Sequence, residues 1–310
     1  MAEALTERVR EILRCPGCHD TLLDAQVEMD GASRGFRCRS CGLVFPIRGG
    51  VPRMLVSSAD VDPAAESFGF QWRARDSGLF ETDTLYGLTK EQELSNFFHA
   101  YGIRADDLKG KTLLDAGCGD GALLELISGH GAEIVGMDIN TSVSVAYRRC
   151  KALRDVMILQ CDIFQPCFQR ASFDFVWCEG VVVHTPNPKE AFRSVSRMVK
   201  PGGSLYLWVY PSDRLSIYQR IRDCLLMAYL IPRPILVAVC YFLALATLPA
   251  FRLTGRKRSL RTIAFDLFDN LSPRHQWRYK EEEIRRWFTE AGFEDLRVTG
   301  YVGMSGRRIS

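Results

Sequence analysis

Short apolar runs and helical periodicities alternate along the middle of the chain. Lys111-Thr112-Leu113-Leu114-Asp115 predicts a buried strand. It feeds Ala116-Gly117-Cys118-Gly119-Asp120-Gly121, after which Ala122, Leu123, Leu126 and Ile127 recur at helical spacing. Further strands are predicted at 132–138, 156–163, 173–180 and 204–210. Asn187-Pro188-Lys189-Glu190 supplies an N-cap, a proline at the first helical position and a glutamate at the third. The helix it opens turns Ala191, Phe192, Val195, Met198 and Val199 inward, and Lys200-Pro201-Gly202-Gly203 is expected to stop it. A last helix, with Ile284, Trp287, Phe288 and Ala291 on one face and Gly292 at its end, precedes two strands at 294–299 and 302–309. Strands alternating with helices predict a doubly wound α/β sheet, whose ligand crevice lies outside the carboxyl ends of the strands.

Two stretches break this rhythm. Residues 56–111 lose regular apolar periodicity, with Ser57-Ser58-Ala59-Asp60 and Pro63 reading as a linker. In Phe68-Gly69-Phe70-Gln71-Trp72-Arg73 the aromatics either cover a cofactor or pack the domain join, and packing is the commoner use. The second stretch is an insertion at about 211–272. It holds Pro234 to Phe251, eighteen uncharged, mostly apolar residues between Arg233 and Arg252. Three readings are open: a buried helical lid that gives the acceptor an apolar pocket, an interfacial segment resting on anionic lipid beside the basic run Gly255 to Arg261, or a membrane span, ranked in that order. Pro232, Pro234 and Pro249 argue against an uninterrupted helix extending beyond the apolar run.

At 310 residues the chain has room for about two domains, and 47% hydrophobic with 25% charged residues is an ordinary globular balance. A net charge of +3 argues against a dedicated nucleic-acid binder. The opening Met-Ala-Glu-Ala-Leu-Thr-Glu-Arg carries Glu3 and Glu7 where a secretory signal needs a basic start, so a cytoplasmic protein is expected, with membrane association through 234–261 as the variant. In a reducing compartment paired cysteines read as metal ligands. Four of the eleven form Cys15-Pro16-Gly17-Cys18 and Cys38-Arg39-Ser40-Cys41, nineteen residues apart. Each pair offers two thiolates from one turn, and the two turns together complete a tetrahedron for a closed, structural Zn2+. A redox Cys-x-x-C pair is the weaker rival, since no βαβ pattern surrounds the first one.

Glycines at 117, 119 and 121 permit a sharp turn and close backbone approach of a ligand. The next strand ends in Asp138, about 20 residues on, where a carboxylate can accept from both ribose hydroxyls. Asp162, ending the third strand, is placed to accept from an adenine amino group, although helix capping or a surface charge are the plain alternatives for both acids. A dinucleotide site is the nearest competitor, but its third glycine would fall one position later than Gly121.

Residues 8–56, with Leu13-Arg14-Cys15-Pro16 and Phe36 to Leu55 around the cysteines, resemble the small zinc-ribbon activator subunit of certain tRNA and protein methyltransferases. That resemblance implies a ribbon without chemistry of its own, stabilising the rest of the chain or docking substrate. The succession Leu-Leu-Asp-Ala-Gly-Cys-Gly-Asp-Gly, Gly-Met-Asp, Cys-Asp-Ile, Glu-Gly-Val-Val-Val-His-Thr-Pro-Asn-Pro and Val-Lys-Pro-Gly-Gly resembles the class I S-adenosylmethionine-dependent methyltransferases over residues 90–310. It implies a Rossmann-like seven-stranded sheet. It places Asp115, Gly117 and Gly119 around the methionine part of the cofactor, with Ala116, Cys118 and Gly121 in the same loop. Asp138 with Ile139 falls at the ribose, Asp162 with Ile163 at the adenine, and Glu179 at the reaction end.

His184 is the best candidate for a base, with ordering of the loop as the plain alternative; family members often carry two adjacent histidines there, whereas this chain has Val183-His184. His275 and Tyr279, in a Ser-Pro-Arg-His-Gln segment resembling bacterial small-molecule methyltransferases, either reach the acceptor or cap the helix entry. The chain is thus expected to divide into a ribbon at 1–56, a linker and helical region at 57–110 and a methyltransferase domain at 111–310. The expected activity is methylation of a small hydrophobic or biosynthetic-intermediate acceptor. The alternatives are an RNA methyltransferase and a non-catalytic cofactor-binding scaffold.

Overall fold

A computed structural model of the chain describes residues 7–29, 32–57, 63–81, 88–213, 217–225, 228–253, 258–300 and 302–309. Glu3, the linker residues Ser58, Ala59 and Asp60, and Gly255, Arg256 and Lys257 of the basic run lie outside the described residues. The N-terminal part contains α1 (Glu7–Ile12), β1 (Leu22–Met29), β2 (Ala32–Cys38), β3 (Val44–Arg48) and β4 (Val51–Met54). Two helices follow, α2 (Pro63–Asp76) and α3 (Lys90–Tyr101), the second opened by a Thr89–Gln92 capping box.

The alternating region then runs β5 (Thr112–Ala116), α4 (Ala122–Ile127), β6 (Glu133–Asp138), α5 (Val143–Cys150), β7 (Val156–Cys161), β8 (Phe173–Glu179), α6 (Pro188–Ser196) and β9 (Val199–Trp208). After it come β10 (Tyr210–Pro211), α7 (Ile217–Cys224), α8 (Arg233–Leu253), α9 (Leu260–Leu271) and β11 (Arg278–Tyr279). The last elements are α10 (Glu281–Glu290), β12 (Phe293–Thr299) and β13 (Gly303–Arg308).

One sheet of eleven strands organises the molecule, in the order β1-β2-β3-β4-β7-β6-β5-β8-β9-β13-β12. Its seven strands from β7 to β12 are the doubly wound sheet expected from the sequence, parallel except for β13, which is antiparallel to both its neighbours. From β5 the chain winds one way through β6 and β7 and the other way through β8 and β9. The switch point therefore lies between the carboxyl ends of β5 and β8.

The ribbon extends this sheet. β4 runs parallel beside β7, pairing Arg53 with Gln160 and Met54 with Cys161, so the β7 edge meets backbone partners instead of solvent. A second seam ties Arg14 N–H to the Cys167 carbonyl at 2.8 Å and Gln169 N–H to the Ile12 carbonyl at 2.7 Å. Val9, Leu13, Phe45 and Met54 are buried in the same apolar core as Leu159 and Phe168. At the ribbon's tip the four Sγ atoms of Cys15, Cys18, Cys38 and Cys41 lie within 4.8 Å of one another. Zn–S bonds of roughly 2.3 Å set tetrahedral sulfurs about 3.8 Å apart, so these thiols fit Zn2+ with no position left open for chemistry.

Two expectations change. Lys200 to Gly203 does not end a helix; it is an irregular stretch inside β9, where the register with β8 shifts between Phe173 and Phe175. Gly202 has φ +76°, and a Cβ on Gly203 would come within 2.8 Å of the Asp174 carbonyl, so the glycines serve a bulge. The proline expectation holds, because α8 spans Arg233–Leu253 and goes beyond the apolar run by one residue at its start and two at its end. Pro234 sits in its first turn, where no N–H is needed.

Second, the apolar run lines neither of the two cavities that flank Glu179. Leu236, Val237, Cys240 and Ala244 of α8 pack with Ile263, Phe265 and Phe268 of α9 in a core of their own, while Ile235, Phe242 and Leu245 face outward. Among the described residues no helix is long and apolar enough to cross a membrane.

The seam makes ribbon and sheet one cooperative unit. Cys38→Ser in the full chain, or stripping the metal with a strong chelator, is expected to lower the melting temperature by at least roughly 5 °C, because a structural zinc site contributes folding free energy directly. Differential scanning calorimetry checks this, and an unchanged melting temperature would mean that the ribbon does not brace the sheet.

Candidate functional site

At the switch point β5 ends in Ala116 and the chain turns through Gly117 with φ +105°. A Cβ there would stand 2.2 Å from Val181 Cγ2, so both the conformation and the space require glycine. The Gly117 and Cys118 N–H groups donate to the Met137 carbonyl at 2.7 and 3.0 Å, binding the loop to the end of β6. Gly119, at φ +53°, has the Trp72 indole 2.8 Å from where its Cβ would lie, and Gly121 abuts Ala146. Asp120 is buried between Arg75 of α2, with which it forms an ion pair, and Arg149 of α5, at 3.2 Å.

The loop forms one side of a cavity of about 240 Å³ lined by Gly117, Asp138, Ile139, Asp162, Ile163 and Glu179, together with Phe68 and Trp72 of α2. Asp138 accepts from Gly119 N–H at 3.0 Å and from the Asn140 backbone and side-chain N–H groups at 2.9 and 2.8 Å. Burial raises its pKa, and these hydrogen bonds work against the rise. Asp162 accepts from Phe164 N–H at 2.9 Å, a local turn that aims the end of β7 at the cavity. Gln160, paired with Arg53 of the ribbon, donates to the Ile139 carbonyl at 2.8 Å, so the brace reaches this end of the cleft.

Beyond Gly180 a second cavity of about 440 Å³ adjoins the first and shares Phe68, Glu179, Gly180 and His184 with it. Its walls are aromatic and acidic: Trp177, Tyr206, Trp208 and Tyr210 from the strands, Glu93 from α3, and Asp266 and Asp269 from α9. The Glu179 side chain is exposed to both cavities, and desolvation by the protein around them raises its pKa to about 7. Glu93 is raised to about 7 by burial first and by the nearby charge of Glu179 second. His184 is buried against the Phe68 ring, centroids 4.6 Å apart, with Nδ1 2.7 Å from the His275 carbonyl. Donation to that carbonyl fixes the proton on Nδ1 and leaves Nε2 its lone pair. Burial lowers the His184 pKa to about 4.

The predicted residues divide accordingly. Gly117, Asp138, Ile139, Asp162, Ile163, Glu179 and His184 line the cavities, whereas Asp115, Ala116, Cys118, Gly119 and Gly121 lie behind the wall and shape it. Asp115 is buried near Glu179 and Asp138, and desolvation followed by those like charges keeps its pKa well above the carboxylate range. His275 lines neither cavity and offers its backbone carbonyl, while the Tyr279 ring packs on Trp287 with centroids 4.8 Å apart.

Sequence reasoning missed Glu93 and the chamber aromatics, and it gave Phe68 and Trp72 to packing. The alternation of Tyr206, Trp208 and Tyr210 against fully buried Leu205, Leu207 and Val209 was a readable signal of an aromatic face. Glu93, one acid among several in an amphipathic helix, carried none.

Residues 114–207 match the methyltransferase domain family and residues 7–50 the Trm112p-like protein family. The chain thus carries a methyltransferase domain preceded by a Trm112p-like domain. It is similar to the ubiquinone biosynthesis O-methyltransferase of Coxiella burnetii, 34% identical over 101 residues that cover 32% of this chain and 43% of that protein. The corresponding protein of Idiomarina loihiensis is 35% identical over 104 residues, covering 33% of this chain and 43% of its own length. The match therefore spans less than half the length of these curated relatives. Among solved structures, a complex of the Haloferax volcanii Trm112 methyltransferase activator with a methyltransferase is similar at TM-score 0.46 and 16% identity, covering 79% of this chain and 99% of that one.

A buried neutral histidine leaves a mark on stability. Between pH 6.5 and about 4 the unfolded chain binds the His184 proton and the folded chain does not, so stability is lost as pH falls, by about 3 kcal/mol over the window. Urea unfolding of wild type and His184→Gln at pH 7.5 and 4.5 should show the wild type losing roughly 2–3 kcal/mol more than the variant. An equal loss in both proteins would mean that the imidazole is not held neutral.

Proposed function

We propose that this protein is an S-adenosylmethionine-dependent methyltransferase acting on a small molecule, with the smaller cavity as donor cleft and the larger as acceptor chamber. The reading rests on one observation above all: two cavities meet at the carboxyl ends of β5 and β8 across a shared wall of Phe68, Glu179, Gly180 and His184. When bound, the cofactor supplies a methyl group on a sulfonium. The protein's part is then alignment and exclusion of water.

In this reading Asp138, with Ile139 beside it, receives the ribose hydroxyls, and Asp162 with Ile163 edges the adenine. The loop from Asp115 to Gly121 shapes the methionine end, with Trp72 and Phe68 covering it. Glu179 and His184 face the passage between the cavities. His184 presents Nε2 as a weak base, and His275 is a positioning residue that orients the ring through its carbonyl. Tyr279, packed on Trp287, supports the wall from behind. The ribbon at 1–56 braces the β7 edge, and α2, within 57–110, joins donor cleft to chamber.

The test is transfer of a labelled methyl group from S-adenosylmethionine in a cell extract divided into an organic phase and RNA. Label is expected in the organic phase, with Asp138→Ala reducing it at least tenfold. Label confined to RNA would favour the RNA-methyltransferase reading, and no label with intact cofactor binding the scaffold reading.

A further inference from the structure

The acceptor chamber has an uneven charge. Six ionisable acids and histidines line it among the described residues, Glu93, Glu179, Asp266, Asp269, His99 and His184, and no lysine or arginine does. Asp266 is paired with Arg258, and Asp269 accepts from Gln71 at 2.8 Å and from the Tyr210 hydroxyl at 3.2 Å. Glu93 and Glu179 are differently placed. Arg75 and Arg149, the nearest cations to Glu93, are already engaged by Asp120, and the Glu93 carboxylate has no ion pair among the described residues. The Trp177 indole N–H donates to Glu179, so what the chamber wall lacks, among the described residues, is cations.

Two chemistries could supply them. A metal ion needs carboxylates that converge, yet among the described residues only the four ribbon cysteines gather closely enough to ligate one. An organic ammonium needs acids spread around aromatic faces, and here Trp177 stacks on Tyr206 with centroids 3.9 Å apart, while the Trp208 and Tyr210 rings meet edge to face at 5.0 Å. A phenolate or carboxylate acceptor would instead enter a field of like charge, where one pair at 4 Å repels by about 4 kcal/mol at an effective dielectric constant near 20.

We infer that the chamber selects an amine acceptor, docking its protonated head between Glu93 and Glu179 and laying an aromatic or apolar body against Trp208 and Tyr210; one N–H proton passes to the Glu179 carboxylate, which opens onto both cavities, before the freed nitrogen lone pair takes the methyl group. This rests on the larger cavity being the acceptor side, and it deepens that reading by naming the acceptor's charge. Glu93 becomes the specificity-determining residue, because it lines the chamber and not the donor cleft.

Calorimetric titration of the zinc-loaded full chain at pH 8 with phenethylamine, 2-phenylethanol and phenylacetate tests this, the three probes sharing a body and differing in head charge. Phenethylamine should bind at least tenfold tighter than the other two. Glu93→Gln should erase most of that margin, and Glu93→Asp should keep part of it, with affinity for S-adenosylhomocysteine unchanged in both variants. The inference is overturned if the alcohol or the acid binds as well as the amine, or if Glu93→Gln keeps the preference while still binding S-adenosylhomocysteine. Failure of the wild type to bind S-adenosylhomocysteine would count against the methyltransferase reading instead, leaving the amine preference to be judged on its own titration.

Discussion

The architecture turns on the backbone at Gly117. There the chain leaves β5 in a conformation closed to residues with a Cβ, pressed against Val181 from the neighbouring β8 segment. Because the turn is so tight, the loop's N–H groups fall on the Met137 carbonyl and on Asp138 at the end of β6. The carboxyl ends of three strands are thereby locked together around a hollow. Any side chain at 117 would push Val181, and Glu179 and His184 with it, away from the loop.

What the turn creates, α2 secures. Its residues reach both cavities and both sides of the protein: Arg75 holds Asp120 in the loop, Trp72 lies on Gly119, Gln71 holds Asp269, and Ser67 meets Ser272 at 2.6 Å. Breaking a buried ion pair such as Arg75–Asp120 costs roughly 3–5 kcal/mol, so the helix is tied firmly to the loop it covers. On the opposite flank the ribbon performs a related task through β4, Arg53 and Gln160, reaching the Ile139 carbonyl beside Asp138. A metal-stabilised edge and a covering helix thus brace the same cleft from two directions.

The sheet and much of the smaller cavity's lining were legible in the sequence because their signals are local. Glycines at a strand end, acids ending successive strands and paired cysteines each announce a chemistry within a few residues. The larger cavity is assembled from α3, β8, β9 and α9, far apart in the chain, and depends on which face each element turns inward. That is why Glu93 carried no signal, and why the apolar run at 234–251 suggested a pocket ceiling although it packs on α9, which itself presents Asp266 and Asp269 to the chamber. Lys200 to Gly203 misled for a different reason: proline and glycine mark breaks in helices and bulges in strands alike, and only the pairing partner decides between them.

The central claim is that the hollow between β5 and β8 is built for an adenosyl sulfonium. A crystal structure of the full chain grown with S-adenosylhomocysteine tests it most directly. The account predicts the ribose on Asp138, the adenine edge near Asp162 and the sulfur facing Glu179 and His184 across the shared wall. Ligand bound elsewhere on the chain, or an empty cleft at saturating concentration, would contradict it.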